Sequence, residues 1–171
     1  LGGMMSVTGI PGQGPVRAGV AISDITAGLQ LAVGILVALH ERKRTGQGRY
    51  VTTSLLGSMI GMLDFQAARF TVAGEVPPQA GNDHPTLGPM GMYATRDGHM
   101  NLAAPWGRMW SALCEILERP ELASDPRFAT ANDRALNRGA LNIEIETALA
   151  PRTTEDWVER MNAGGMPSGP V

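Results

Sequence analysis

One carboxylate stands at the start of the most apolar segment of the chain. Asp24 directly precedes a run from Ile25 to Leu39 in which the apolar residues leave no polar face. A helix that is apolar all round is typical of a buried helix. At its start, an aspartate can cap the free backbone N–H groups of the first turn. A partly desolvated, ionised carboxylate there can instead act as a nucleophile. Position alone favours the cap.

The other reactive side chains form no recognisable catalytic set. No Ser/His or Cys/His pair is evident, and His40 and His99 stand apart from any Cys or acidic cluster with metal-ligand spacing. Cys114 fits a core position on an amphipathic helix. Asp64 also interrupts an apolar helix, where solvation or pairing with a basic side chain fits better than catalysis. We therefore expect no metal site.

Composition and charge exclude several classes of function. The chain has 171 residues, is 43% hydrophobic and carries a net charge of −2, which argues against a nucleic-acid partner. Its one cysteine fits a reducing cytoplasm, and no signal peptide is evident. The apolar run is shorter than the roughly 18 to 20 residues that a membrane span needs, although basic residues follow it. We expect a cytoplasmic protein that does not enter the membrane.

Hydrophobic periodicity and turn residues predict a mostly helical chain with a small sheet. The Asp97-Gly98 pair between two alternating runs is typical of a β-hairpin. Residues 1–18 and the proline-rich stretch 74–89 are predicted loops, and loops of the latter length are often functional. The remaining predicted elements are helices over 24–44, 54–73, 106–117, 134–149 and 154–163, a strand over 49–54, and hairpin strands over 92–95 and 99–103.

The long loop is also the predicted domain boundary. Residues 1–73 are predicted to belong to a larger domain, and residues 74–90 to form a linker. Residues 91–171 are predicted to form a small α+β domain with its own hydrophobic core. The aromatic members of that core would be Trp106, Trp110, Phe128 and Trp157.

Several blocks resemble, in order, the motifs of class III CoA-transferases. This CaiB/BaiF-type family includes the formyl-CoA:oxalate enzymes and alpha-methylacyl-CoA racemase. The segment Val16–Gly28, which contains Asp24, is similar to the family's catalytic-aspartate segment. The other similar blocks are residues 39–49, residues 81–98, and the two later stretches 125–130 and 164–171. The resemblance covers the whole chain and implies an α/β fold, here as a mostly helical internal fragment with a small α+β domain.

The resemblance reverses the interpretation of Asp24. It implies that the carboxylate attacks an acyl-CoA thioester, giving a mixed anhydride and free CoA thiolate. The thiolate then returns to give an aspartyl-CoA thioester, which the acceptor carboxylic acid attacks. An aspartate is ionised at neutral pH without a general base, so no Ser/His pair is required. The implied substrates are acyl-CoA and a carboxylic acid, with no tightly bound cofactor.

The resemblance also implies an active-site loop within 81–91 that closes over the reacting centre and excludes water. An ordinary interdomain linker is the alternative. The implied loop residues are His84, Gly88, Pro89 and Gly91, with free N–H groups near Gly88 as oxyanion donors. Arg17, Met90 and Met92 are the candidates for binding substrate or CoA. The stretch 86–89 lacks the glycine-rich loop of the formyl-CoA:oxalate enzymes, which leaves the acyl group open.

Two alternatives stay open at this point. Racemases of the superfamily pair the aspartate with an upstream histidine that this chain does not contain, so racemase or epimerase activity is the first alternative. The second is a catalytically incomplete fragment that acts only in assembly. Family members form interlocked dimers, so a homodimer is the expected assembly. The chain alone is expected to be inactive.

We expect the isolated chain to self-associate, because two helices that are apolar all round lack enough covering surface. Analytical ultracentrifugation of the 171-residue chain checks this. Concentration-dependent oligomers are the expected result. A single monomeric species across the concentration range would contradict it.

Overall fold

The computed structural model describes residues 2–171, which divide into two compact units. The first unit ends at Gly81, and the second is Asn82–Val171. The first is helical, and the second combines helices with all of the strands that the described residues form. The predicted mostly helical chain with a small sheet is therefore confirmed.

The first unit is built around one long helix. Its helices are α1 (Met4–Val7), α2 (Ile22–Thr45), α3 (Leu55–Gly61) and α4 (Phe65–Ala73). The predicted end of α2 is confirmed: Gly46 has φ 75°, and its N–H donates to the Arg42 carbonyl at 2.8 Å. Basic side chains occupy the last turn, where they complement the negative end of the helix dipole.

The expectation that α2 is buried is wrong. Leu29 and Leu36 are 65% and 66% exposed, and Ala27 is the one residue of α2 that is buried. The physical reason is a shortage of partners, since α3 is the main element packed against α2. That contact includes a polar pair, in which the buried Ser58 hydroxyl donates to the Gln30 side-chain oxygen at 2.7 Å. The apolar stripe of α2 consequently faces outward in this chain.

The apolar segment was predicted to be too short to span a membrane, and this prediction is also wrong. α2 has 24 residues and a mean hydropathy of 1.8 over its most apolar window, so it is long and apolar enough to cross a bilayer. A core helix of a soluble protein passes the same test. This feature is therefore weak evidence for a membrane.

The predicted helix over 54–73 is two helices. Its start is confirmed, since the Ser54 hydroxyl accepts from the Gly57 N–H at 3.0 Å. The break comes at Asp64, which has φ 50° and whose carbonyl accepts from the N–H groups of Ala67 and Ala68. The apolar positions continue across this break, so periodicity did not detect it.

Two other predictions for the first unit are wrong. The segment 49–54 forms no strand, because no neighbouring strand pairs with it in the described residues. The short helix α1 lies inside the predicted loop 1–18. A single four-residue turn is too short to leave a periodic signal in the sequence.

The second unit places three strands against five short helices. Strands β1 and β2 form the predicted hairpin, and β3 pairs with β2 to give an antiparallel sheet of order β1-β2-β3. The elements are β1 (Met90–Ala94), β2 (His99–Ala103), α5 (Gly107–Ile116), a 3₁₀ helix (Pro120–Ser124), α6 (Ala131–Leu136), α7 (Arg138–Leu149), α8 (Thr154–Ala163) and β3 (Ser168–Pro170).

The hairpin turn was predictable from the sequence, whereas the edge strand β3 was not. The Thr95 N–H donates to the Gly98 carbonyl at 2.9 Å, and the Asp97 carboxylate accepts from the Thr154 N–H at 2.8 Å. Both hydrogen bonds involve Asp97 or Gly98, the two residues from which the turn was predicted. β3 was missed because its Ser-Gly-Pro composition disfavours strands, and proline is tolerated there since β3 lies at an edge.

A contiguous apolar core holds the second unit together. Trp110 and Phe128 meet edge to face at 6.3 Å between ring centroids, and the Trp157 indole N–H donates to the Leu149 carbonyl at 2.8 Å. Trp106 was expected in this core but is 58% exposed. Cys114 is buried as predicted, and burial raises the pKa of its thiol to about 12, which disfavours the reactive thiolate.

This core also contains a buried arginine that was not predicted from the sequence. Arg134 is 2% exposed, and its guanidinium lies 5.2 Å from the centre of the Trp110 ring. It donates to three backbone carbonyls, those of Gly88, Phe128 and Pro105, at 2.9–3.0 Å. No carboxylate forms an ion pair with it among residues 2–171, and burial lowers its pKa. The guanidinium is thus satisfied by backbone alone.

Replacing Arg134 with Met should lower the free energy of unfolding of the second unit by about 2–4 kcal/mol, because three buried carbonyls lose their donors. All three tryptophans lie in that unit, so tryptophan fluorescence during urea unfolding measures it selectively. The matched control is Arg108→Met on the exposed surface of α5, expected to change stability by less than about 0.5 kcal/mol. Equal effects of the two variants would contradict the role of Arg134.

Candidate active site

Asp24 lies in the first turn of α2 but does not cap the helix. The helix begins at Ile22 after Ala21, which makes no side-chain capping bond. The Asp24 carboxylate accepts from the Ser23 hydroxyl at 2.9 Å and is exposed. The capping interpretation is therefore wrong, and so is the expectation of a partly desolvated carboxylate within this chain. Asp24 nevertheless lies at the N-terminal, positive end of the helix dipole.

A cavity of about 360 Å³ opens beside this carboxylate. Its size lies in the range of small-molecule sites. The wall is mostly apolar, with Arg17 as its one basic side chain and Asp24 as its one acidic side chain. The structure thus brings these two predicted residues to the same cavity. The other lining residues are Met4, Met5, Ala18, Val20, Ala21, Ile22, Ser23, Leu55, Leu56 and Met59.

A larger open depression, of about 690 Å³, lies in the second unit at the hairpin turn. Three of its lining side chains are the carboxylates of Asp97, Glu155 and Glu159. Such a surface repels an anionic substrate such as a carboxylate or a phosphate. The cavity beside Asp24 is the better candidate for an anionic ligand, although it is smaller.

The predicted loop is closed on itself by backbone hydrogen bonds. The His84 N–H donates to the Met90 carbonyl at 2.8 Å, and the Met92 N–H donates to the Asn82 carbonyl at 3.1 Å. A Cβ at Gly91 would lie 2.8 Å from that Asn82 oxygen and 2.7 Å from the Asp83 carboxylate. Glycine is therefore required at position 91 for the two segments to approach.

His84 organises the turn inside this loop. Its Nδ1 accepts from the N–H groups of Thr86 and Leu87, at 3.2 and 3.1 Å. The proton of the neutral ring consequently lies on Nε2. Burial, and then the positive charge of Arg138, lower the pKa of His84. The expectation of free N–H groups in the loop is wrong for Thr86 and Leu87, because His84 binds both.

One face of α7 holds the loop and β1. Asn142 donates to both carboxylate oxygens of Asp83, at 3.0 and 3.2 Å. Arg138 donates to the Leu87 carbonyl at 2.6 Å, and Glu146 accepts from the Ala94 N–H at 3.1 Å. Arg138, Asn142 and Glu146 are spaced at four-residue intervals and so share this face. The loop is anchored at several points along its length.

The remaining predicted residues lie around this anchored loop. Gly88 and Pro89 are buried, with the Gly88 carbonyl bound by Arg134. Met90 and Met92 are half-buried and occupy the face of β1 opposite Tyr93, which points into the core. The structure thus groups these residues with His84 and Gly91 in the second unit, and groups Arg17 with Asp24 in the first.

Sequence reasoning missed the side chains that hold the loop. Arg134, Arg138 and Asn142 lie more than forty residues after it, and nothing near them in sequence marks them as its partners. The four-residue spacing of the two arginines was the one available signal. Among residues 2–171, no three His, Cys, Asp or Glu side chains form a group that suits a metal ion.

The comparisons with known proteins agree with these motifs. The family model described as CoA-transferase family III matches residues 1–171. A succinyl-CoA:mesaconate CoA-transferase from Haloarcula marismortui is 38% identical over 174 residues, covering 100% of this chain and 42% of that protein. An acetyl-CoA:oxalate CoA-transferase from Acetobacter aceti is 31% identical, covering 100% of this chain and 44% of that protein.

A solved structure gives the same result for the fold. A CaiB/BaiF family protein from Brucella suis superposes with a TM-score of 0.78 at 35% identity, over 99% of this chain and 45% of that one. The chain therefore spans less than half the length of the relatives that it matches. With the family model matching from end to end, this chain belongs to CoA-transferase family III.

Proposed function

We propose that the full-length protein containing this chain transfers coenzyme A between carboxylic acids, with Asp24 as the nucleophile. The observation that carries the proposal is the position of Asp24 at the start of α2, beside an apolar cavity that also holds Arg17. A carboxylate needs no general base to attack a thioester. The family resemblance of the surrounding segment supports the same role.

The proposed reaction proceeds through two covalent intermediates. An Asp24 oxygen attacks the thioester carbonyl, and the C–S bond breaks to give an aspartyl anhydride and CoA thiolate. The thiolate attacks the aspartyl carbonyl and releases the donor acid, which leaves an aspartyl-CoA thioester. The acceptor carboxylate attacks this thioester, whose C–S bond breaks to give a second anhydride and CoA thiolate, and the thiolate then attacks the acceptor's acyl carbon. The new acyl-CoA leaves, and Asp24 is regenerated.

The other predicted residues have supporting roles in this proposal. Arg17 would bind an anionic group of the substrate, since a guanidinium suits carboxylate and phosphate oxygens. The loop with His84, Gly88, Pro89 and Gly91 would shield the anhydride from water. Met90 and Met92 would contact the acyl chain. Their half-buried side chains on one face of β1 support this assignment.

The relatives suggest the chemical class of the acids. The two curated relatives are named for mesaconate and oxalate, with succinyl-CoA or acetyl-CoA as the donor. Both named acceptors are dicarboxylates. We propose a dicarboxylic acid as the acceptor here, with a homodimer in the cytoplasm as the active form. The first unit would contribute to the CoA-binding domain, with residues 74–90 as its link to the small domain.

Replacing Asp24 with Asn in the full-length protein should lower kcat by roughly 10³-fold or more, because a neutral amide is a poor nucleophile. CoA transfer from succinyl-CoA to a panel of dicarboxylates is the measurement. The matched control is Asp64→Asn, an exposed aspartate at a helix break, which should retain activity.

Three results would overturn the proposal. Full transfer activity in the Asp24→Asn variant would remove Asp24 as the nucleophile. Exchange of the α-proton of a 2-methylacyl-CoA in deuterated solvent, without transfer, would identify a racemase. A wild-type protein that neither transfers CoA nor exchanges protons would indicate an assembly role.

In the proposed mechanism activity depends on neutral His84, because a protonated Nδ1 cannot accept the N–H groups of Thr86 and Leu87. Since the folded pKa of His84 is lowered, this arrangement is intact above the unfolded value of about 6.5. It is lost as the pH falls below that value and through the folded pKa. The pH profile of kcat/KM should therefore fall on its acid side.

The His84→Asn variant provides the control for this pH dependence. The asparagine side-chain oxygen accepts from N–H groups two and three residues later and does not titrate. The loss of kcat/KM as the pH falls below about 6.5 and through the folded pKa of His84 should shrink in this variant. An unchanged acid limb would assign the loss to another group.

A further inference from the structure

One glutamine side chain closes a loop within the first unit. Nε2 of Gln79 donates to the Thr8 carbonyl at 2.6 Å and to the Gly14 carbonyl at 2.7 Å, contacts that span 71 and 65 residues of sequence. The Thr8 carbonyl also accepts from the Val16 N–H at 3.3 Å. Residues 8–16 therefore form a loop whose two ends are held together by the amide of Gln79.

The base of this loop is tightly packed. A Cβ built on Gly9, which has φ 115°, would lie 2.5 Å from Cγ2 of Val16 and 2.9 Å from Nε2 of Gln79. The Gly9 carbonyl accepts from the Gly81 N–H at 2.9 Å, which binds the segment that carries Gln79 a second time. Glycine is therefore required at position 9 for Val16 and Gln79 to approach each other.

Both ends of the loop lead into the wall of the cavity beside Asp24. At its start, the Thr8 hydroxyl donates to the carbonyl of Met4, a residue of α1 that lines the cavity. At its end, the next residue is Arg17, which also lines the cavity. Gln79 itself is not a lining residue. Its amide thus fixes the place where two parts of the wall begin without contacting the cavity.

The Arg17 guanidinium has no partner among residues 2–171. No ion pair or side-chain hydrogen bond of the described chain includes it, and the Asp24 carboxylate binds the Ser23 hydroxyl instead. In the proposed reaction, the attacking carboxylate of the acceptor must reach the aspartyl carbon. A second carboxylate on the same acid is the group left for Arg17, and the apolar wall suits the carbon chain between the two.

We propose that Arg17 binds the non-reacting carboxylate of a dicarboxylic acceptor, and that Gln79 is a positioning residue that places Arg17 for this contact. The inference rests on the proposed function. A guanidinium binds a carboxylate through two parallel hydrogen bonds, so the contact depends closely on the position of the backbone that carries it. Gln79 fixes this backbone at the residue directly before Arg17, through the Thr8 carbonyl that it shares with Val16.

The experiment measures CoA transfer from acetyl-CoA to succinate in the full-length protein, with butyrate as a four-carbon competitor that has one carboxylate. Gln79→Met removes both donors at similar side-chain length. It should raise the KM for succinate about 3- to 10-fold, because the guanidinium is displaced. The inhibition constant of butyrate and the KM for acetyl-CoA should change less than about twofold.

A double-mutant cycle tests whether Gln79 acts through Arg17. Arg17→Met should raise the KM for succinate about 10- to 100-fold, which corresponds to the loss of a charge-assisted hydrogen-bonded pair. The double variant should match Arg17→Met alone, because the position of the backbone no longer matters once the guanidinium is absent. Gln79→Lys supplies an ammonium that can donate to both carbonyls, and it should keep the KM within about threefold of the wild type.

The matched control is Gln47→Met, which replaces an exposed glutamine outside the cavity and should leave every constant unchanged. Gly9→Ala gives a second test that keeps Gln79 in place. The new Cβ displaces Val16, so the KM for succinate should rise while the inhibition constant of butyrate does not. Retained inhibition by butyrate also shows that the site of each variant is folded.

Four results would overturn the inference. They are an unchanged KM for succinate in Gln79→Met or Gly9→Ala, equal weakening of succinate and butyrate, additive effects in the double variant, and a rise in the KM for acetyl-CoA alone, which would assign Arg17 to a phosphate of CoA. These failures leave the proposed function intact if Asp24→Asn is inactive. Transfer activity in Asp24→Asn would instead remove the nucleophile, whatever the Gln79 variants do.

Discussion

The second unit depends on the placement of one buried charge. The guanidinium of Arg134 has no carboxylate partner in the described chain, so its desolvation is offset by three backbone carbonyls and the Trp110 ring. These carbonyls come from the loop at Gly88, the segment before α5 and the segment before α6. The planar guanidinium of an arginine can donate to three carbonyls at once. The single ammonium of a lysine does not reproduce this geometry. The three segments are therefore fixed relative to one another.

Local rules were sufficient for much of the fold. The Asp97-Gly98 turn, the Ser54 cap and the glycine after α2 are interactions between residues close in sequence, and each was predicted correctly. The helical spacing of α5 and α8 was also sufficient, because each buries one face in the core. The motif around Asp24 led to the family, which the comparisons establish.

Several of the errors have one physical cause, which is that the features concerned depend on contacts distant in sequence. The exposure of α2 reflects how little of this chain packs against it, and the missing strand at 49–54 reflects the lack of a neighbour. The capping interpretation of Asp24 was wrong because the helix begins two residues earlier. The arginines that hold the loop bind backbone carbonyls, and such acceptors carry no sequence signature. The role of Asp24 stays a prediction.

The measurement that most directly tests the covalent carboxylate is mass spectrometry of the full-length protein after incubation with acyl-CoA and quenching with hydroxylamine. Hydroxylamine attacks an aspartyl anhydride or thioester and leaves a stable hydroxamate. The account predicts this hydroxamate on the peptide that contains Asp24, only when acyl-CoA is present. Turnover of acyl-CoA with Asp24 unmodified, or with the hydroxamate on another carboxylate, would contradict it.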